Sequence, residues 1–275
     1  MRTTSHEAAG AVREAAPWLV WLGRFGFAAK GVVYTLIGVL AVQTALGAGG
    51  ELIGKTGALE HVGKAPFGRA LLISTGVGIA GYALWRFVQA IMDTENKGRG
   101  AKGIAVRLGY CVIGLTHIAL AASAFALVSG NRGSGDSTQE STAEVMSQPF
   151  GKWLVAGIGA IVIGYGLYQF YRAYSRKFRK KLLLADMSET EQKWATRLGC
   201  VGYAARGVVF EVIGTFLIIA AIHADPQEAR GIDGALATLA RQPWGWAVLG
   251  VVAAGLAAYG VYMFVEARYR RMVIR

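Results

Sequence analysis

Proline and charge are both scarce in this chain. Five prolines occur in 275 residues, and none lies inside an apolar run. That argues against the broken mid-membrane helices that many transporters build their sites from. Charged residues make up 17% of the sequence, where about a quarter is usual for a soluble domain. With 54% hydrophobic residues and a mean hydropathy of +0.40, a soluble fold is excluded. The two cysteines, Cys111 and Cys200, form no Cys-x-x-Cys pattern and sit near the starts of apolar segments. No structural disulfide is expected of them. No His or Cys cluster has metal-ligand spacing. No glycine-rich stretch is followed by the Gly-Lys-Ser/Thr of a phosphate loop. With no arranged nucleophile either, the chain does not read as an enzyme and calls for no cofactor.

Apolar runs and glycine (38 residues) fill the space. A membrane-spanning helix needs about 20 mostly apolar residues, and six segments qualify: Phe25–Leu46, Arg69–Met92, Leu108–Ser129, Trp153–Tyr174, Cys200–Ile222 and Gly245–Ala267. The runs are continuous rather than alternating, so strands are not expected. The fold class is all-α integral membrane.

The net charge of +12 would suggest nucleic acid in a soluble protein. Here Lys and Arg gather between the apolar runs, as the positive-inside rule describes. Lys97, Arg99, Lys102 and Arg107 follow the second segment. Arg172, Arg176, Lys177, Arg179, Lys180, Lys181, Lys193 and Arg197 follow the fourth, and Arg268, Arg270, Arg271 and Arg275 end the chain. The opposite connections hold Lys55, Lys64, Arg69, Arg132, Lys152, Arg230 and Arg241, sixteen against seven. Both termini are expected in the cytoplasm, with the protein in the plasma membrane. The polybasic run Arg176, Lys177, Arg179, Lys180 and Lys181 is expected to lie on anionic lipid, at about 1 kcal/mol per basic residue. Ser188 and Glu191 fit a capping box that opens a short helix through Trp194. Trp18 and Trp194 read as interfacial anchors.

The strongest pattern is internal repetition. Phe25-Gly26-Phe27-Ala28-Ala29-Lys30-Gly31 returns as Val201-Gly202-Tyr203-Ala204-Ala205-Arg206-Gly207, with Leu108-Gly109-Tyr110 up to Gly114 between them. Pro66-Phe67-Gly68, Pro149-Phe150-Gly151 and Pro243-Trp244-Gly245 end the outer connections. Aromatic clusters close each second helix: Tyr82, Trp85 and Phe87, then Tyr165, Tyr168 and Phe170, then Tyr259, Tyr262 and Phe264. The offsets are 83, then 93 to 94 residues. The organisation is a tail (1–17), unit 1 (18–96), unit 2 (97–175), a basic connection (176–199), unit 3 (200–267) and a second tail (268–275). The units are parallel repeats of one helical hairpin. Short amphipathic helices are expected near Gly57–Val62, Thr142–Met146 and Gly234–Leu239, either on the outer membrane surface or capping the bundle.

These repeats resemble a bacterial family catalogued as domain of unknown function 1206. The first unit carries its pattern almost throughout: Arg24, Gly26, Lys30, Gly31 and Tyr34, then Pro66, Gly68 and Arg69, then Gly81, Tyr82, Trp85 and Arg86. The third unit departs at Phe210 and Met263, and the second at Ile113 and His117. The resemblance implies a six-helix, three-unit membrane protein and implies no activity.

Ionisable groups inside a span are candidates for function. Lys30, Arg86 and Arg206 fall at one depth, which suits an anion, an anionic lipid headgroup or snorkelling to the interface. Glu211 lies deeper. It is expected to pair with Lys30, Arg86 or Arg206 across helices, to carry a proton or substrate, or to meet a partner subunit. His117 stands in the place of Tyr34, and hydrogen-bonded packing fits it better than haem or chlorophyll ligation. Small-residue stripes, Ala156, Ala160 and Gly164, and Gly250, Ala254 and Ala258, read as packing faces for the bundle or a homo-oligomer. The functional expectation is an accessory protein binding membrane partners or anionic lipid. The alternative is a small ion, proton or anion transporter using Lys30, Arg86 and Glu211.

Overall fold

The computed structural model describes residues 3–94, 98, 100–131 and 137–272, with side chains from Pro17 onward except Ser137. Lys97, Arg99, Arg132 and Arg275, counted above, lie outside them. Nine α-helices are present among the described residues: α1 (Thr3–Ala45), α2 (Lys55–Lys64), α3 (Gly68–Met92), α4 (Ala101–Val128), α5 (Ser137–Met146), α6 (Gly151–Ser175), α7 (Glu189–His223), α8 (Ile232–Ala240) and α9 (Gly245–Tyr269). Six are long and apolar enough to cross a membrane: α1, α3, α4, α6, α7 and α9. Among the described residues there is no strand, only an isolated bridge between Leu182 and Arg270.

The expected short helix through Trp194 is instead the start of a continuous α7. Its capping box forms as expected, with Ser188 Oγ accepting from Glu191 N at 3.3 Å and Glu191 Oε2 accepting from Ser188 N at 2.8 Å. No proline interrupts the stretch that follows, so nothing ends the helix before the span. Likewise α1 runs unbroken from the tail into its span, through Pro17.

Each unit packs its second spanning helix on the first spanning helix of the next: α3 on α4, α6 on α7, and α9 back on α1. Three like seams therefore close the units into a ring. Within units, α1 packs on α3 and α7 on α9, but α4 and α6 do not pack along one another. Unit 2 is thus a hairpin in sequence and a splayed pair in space. The long helices alternate in direction, so both termini share one side, called here the terminal side; α2, α5 and α8 lie on the other, the cap side. At the terminal side Met272 Sδ approaches Gly23.

Glycine sets the closest seam. A Cβ on Gly38 would strike the backbone of Ala257, and one on Gly260 would lie 2.8 Å from the Gly31 carbonyl oxygen. The stripes named from sequence do not make such contacts. Ala160, Gly164 and Ala254 are exposed, and a Cβ on Gly164 would meet nothing within 4 Å. The packing residues lie on other faces of the same helices. On α6 these are Gly159, facing the Gly214 carbonyl, and Gly166, facing the Gly207 carbonyl.

The short helices α2 and α8 cap the bundle. Ala58, Leu59, Ala235 and Leu236 are fully buried in the main core, so their apolar faces meet protein rather than lipid. Each long helix on the return path starts at a matching turn. Phe67, Phe150 and Trp244 have φ of 61°, 60° and 60°, a left-handed conformation uncommon for residues other than glycine. The next residue, Gly68, Gly151 or Gly245, packs so closely on a backbone carbonyl (Gly63, Val145 or Ala240) that a Cβ would overlap it. The aromatic rings project outward, 86%, 80% and 77% exposed. That placement suits anchoring at a membrane interface.

Candidate functional site

Tyr82, buried on α3, joins two cations. Its hydroxyl accepts from Lys30 Nζ at 3.1 Å and from Arg86 Nη2 at 2.5 Å. Arg86 Nη1 also donates to Gln89 Oε1 at 2.8 Å. Across the bundle, Arg206 Nη1 donates to the Tyr259 hydroxyl at 2.9 Å. Lys30 and Arg206 share two rings: they lie 5.8 and 5.4 Å from the Tyr34 centroid, and 5.7 and 4.4 Å from that of Tyr259. Such cation–π contacts strengthen when desolvated, to about 2 kcal/mol.

Lys30 and Arg206 are 8% and 5% exposed, so neither reaches the interface by snorkelling. Among the described residues no carboxylate lies at salt-bridge distance from Lys30, Arg86, Arg172 or Arg206. Tyrosine hydroxyls and rings are their partners instead. Arg206 Nε and both amide polar atoms of the fully buried Gln169 have no hydrogen-bond partner. This is a cationic, aromatic core with spare donors, which is the chemistry that receives an anion.

Glu211 does not join it. Its carboxylate faces Gly166 across the α6–α7 seam, and Oε1 has no hydrogen-bond partner. The expected ion pair with Lys30, Arg86 or Arg206 is not formed. The physical reason is direction: Phe210, the preceding residue, faces the core beside Arg206, and Glu211 is turned from it by about 100°, one residue's rotation in a helix of 3.6 residues per turn.

His117 does join it. The ring lies 4.7 Å from that of Tyr82, and Nδ1 is 2.8 Å from the Ile113 carbonyl oxygen. Since a carbonyl only accepts, Nδ1 carries the hydrogen. His117, Lys30, Tyr34 and Lys55 line a cavity of about 10 Å³, room for about one water. Lys55 and Leu120 also line a much larger cleft of about 1160 Å³. Its walls are α4 on one side and α6 with α7 on the other, and α2, α5 and α8 roof it. The cleft occupies the cap-side part of the gap between α4 and α6, and it leads to Lys30.

The terminal side is closed by aromatics and one ion pair. Phe178, in the polybasic run, is 1% exposed and lies 5.2 and 5.4 Å from the rings of Tyr203 and Tyr262. The aromatic of the polybasic run is thus turned into the bundle. Arg176, Lys177 and Lys180 are exposed, while Arg179 and Lys181 are half-buried beneath the wedge that Phe178 makes. Next to it, Glu266 Oε2 accepts from Arg270 Nη1 at 2.6 Å, with the two side chains 2% and 3% exposed. Glu266 Oε1 accepts from Tyr262 at 3.1 Å, and Tyr203 accepts from Arg172 at 2.7 Å.

Neither Glu266 nor Lys55 was singled out from sequence. Repeat register marks the first: Gln89, Arg172 and Glu266 each lie seven residues after the equivalent Tyr82, Tyr165 and Tyr259. One position thus carries an amide, a cation and an acid. Nothing local marks Lys55, which reaches the site only through the placement of α2.

Fold and site together define a multi-pass membrane protein of three tandem helical units around a cationic core. The chain belongs to the family described as Domain of Unknown Function (DUF1206), which matches residues 25–93, 108–176 and 201–270. It is similar to an uncharacterised protein, YxxB, of Bacillus subtilis (strain 168), with 38% identity over 260 residues covering 94% of each chain. No solved structure matches.

Proposed function

We propose that this protein binds an anionic group inside the membrane, at Lys30 and its neighbours, with access from the cap side. One observation carries the reading: Lys30 and Lys55 line the same small cavity, no carboxylate among the described residues lines it, and it shares Lys55 and Leu120 with the wide cleft. Lys30, buried, and Lys55, half-buried, form no ion pair among the described residues, and an anion would offset the cost of burying such cations. The excess of Lys and Arg on the terminal side supports a plasma-membrane protein with that side in the cytoplasm. The ligand then arrives from outside.

The test is thermal unfolding of the detergent-purified protein against phosphate concentration. Saturating ligand raises stability by about 2.7 kcal/mol at a hundredfold excess over Kd. Wild type should shift to higher temperature, while Lys30→Met and Lys55→Met should not. A wild type that phosphate leaves unmoved would sink the proposal. Transport is the second reading, favoured by an asymmetry: the cleft lies in the cap-side half of the bundle, while toward the terminal side Phe27 packs on Tyr82 and Tyr203 on Tyr262, all four buried. Phosphate uptake into proteoliposomes, lost in Lys30→Met, would support it.

A further inference from the structure

We infer that the ligand of this site is a zwitterionic phospholipid with a primary ammonium, entering sideways between α4 and α6. The inference rests on the proposed anion site and adds the rest of the ligand to it.

Size speaks first. A cleft of about 1160 Å³ exceeds even the usual range of about 300–1,000 Å³ for small-molecule pockets, and far exceeds a free inorganic anion. Position speaks next. Among the three units, only unit 2 leaves its two spanning helices unpacked, and the cleft lies along that gap. Ala119 and Ala122 on α4 and Val155 and Ile158 on α6 give it apolar walls. Small alanines on one wall leave room for hydrocarbon. α4 and α6 are also the two spans least buried by protein, so lipid reaches the gap directly.

Charge then selects the headgroup. The side toward the small cavity is cationic, with Lys55 shared between cleft and cavity and Lys30 lining the cavity. The roof is acidic, with Glu60, Glu140, Glu144 and Asp233 lining the same cleft. None of the four forms an ion pair among the described residues. Asp233 lies beside Gly54, its carboxylate oxygen 3.4 Å from where a Cβ would stand, and Gly54 precedes Lys55. A cation and an acid thus line the same stretch of wall. The acidic rim favours a ligand that carries a positive charge as well as the anionic group. A headgroup with a phosphate and an ammonium satisfies both ends, because each charge meets its opposite. A primary ammonium also donates hydrogen bonds to carboxylates, which a quaternary one cannot.

The experiment uses the whole chain reconstituted in vesicles of equal parts phosphatidylethanolamine, phosphatidylglycerol and phosphatidylcholine. The protein is re-extracted and the lipid retained per protein is measured by mass spectrometry. The expected result is phosphatidylethanolamine enriched on the order of tenfold over each competitor. Glu144→Gln with Asp233→Asn should erase the preference over phosphatidylglycerol, and Lys55→Gln should lower retention of all three. The wild-type competition decides by itself if a variant fails to fold. Equal or preferred phosphatidylglycerol, or no retained lipid, overturns the inference. If phosphate still stabilises the protein in that case, the anion site stands alone; if it does not, both fall. Stabilisation by free phosphoethanolamine with no lipid retained would make the ligand soluble and refute lateral entry.

Discussion

The buried charges of this protein divide into those held in ion pairs and those partnered by aromatic rings and hydroxyls. Glu266 belongs to the first kind. Replacing it with Gln removes the carboxylate that Arg270 donates to at 2.6 Å, and breaking one side of a buried pair costs about 3–5 kcal/mol. Thermal unfolding in detergent should show a large loss for Glu266→Gln, partly recovered in the double variant with Arg270→Met. Glu211 is the contrast. It makes no ion pair among the described residues, and its Oε1 lies buried in the seam without a hydrogen-bond partner, so Glu211→Gln, which removes an uncompensated charge, should leave stability unchanged or raise it. An effect as large as that of Glu266→Gln would show that Glu211 has a charged partner after all. Lys30, Arg86 and Arg206 were legible in the sequence because a charge within an apolar run stands out. Glu266 was not, since it lies near a helix end where an acid looks interfacial. Lys55 reads along the chain as one more charge of an outer connection, because nothing local reveals that α2 brings its first residue to the cavity that Tyr34 also lines.

Elements were more legible than their contacts. The six spans and three short helices follow from apolar runs and from the repeat. Which face packs did not follow, because every stretch of these helices is rich in alanine and glycine. The turns opening α3, α6 and α9 give a direct check. Gly245→Ala forces a Cβ into the Ala240 carbonyl and should cost several times the roughly 1 kcal/mol scale of a helix-propensity change. Gly164→Ala, on an open face, should be neutral or slightly stabilising. Expression level and unfolding temperature measured side by side test both, and equal behaviour would refute the close packing. The Phe178 wedge gives another. Phe178→Ala removes a fully buried ring, a change that costs about 3–5 kcal/mol in well-packed cores. It should also speed hydrogen exchange in the adjoining turn of α7 around Gly199, whose Cβ position Phe178 covers. Unchanged exchange there would mean that the wedge does not hold the terminal side.

For the whole molecule, six alternating spans place the cleft and the polybasic segment on opposite sides. In a background with Cys111→Ser and Cys200→Ser, an impermeant maleimide should label Ser123→Cys and Lys180→Cys from opposite faces of sealed vesicles. Labelling of both from one face would break the topology. The ring itself is only half visible in the sequence: the repeat predicts three parallel hairpins that differ in their buried polar residues, while the tightest seams run between units and one hairpin is splayed. This difference has a consequence for how such a molecule must be encoded. Three separate copies of one unit, assembling with exact symmetry, would have to open all of their gaps or none. A single gap requires that the copies differ and keep a fixed order, and a continuous chain guarantees both. Joining the units in one polypeptide is thus what permits one doorway in an otherwise closed wall.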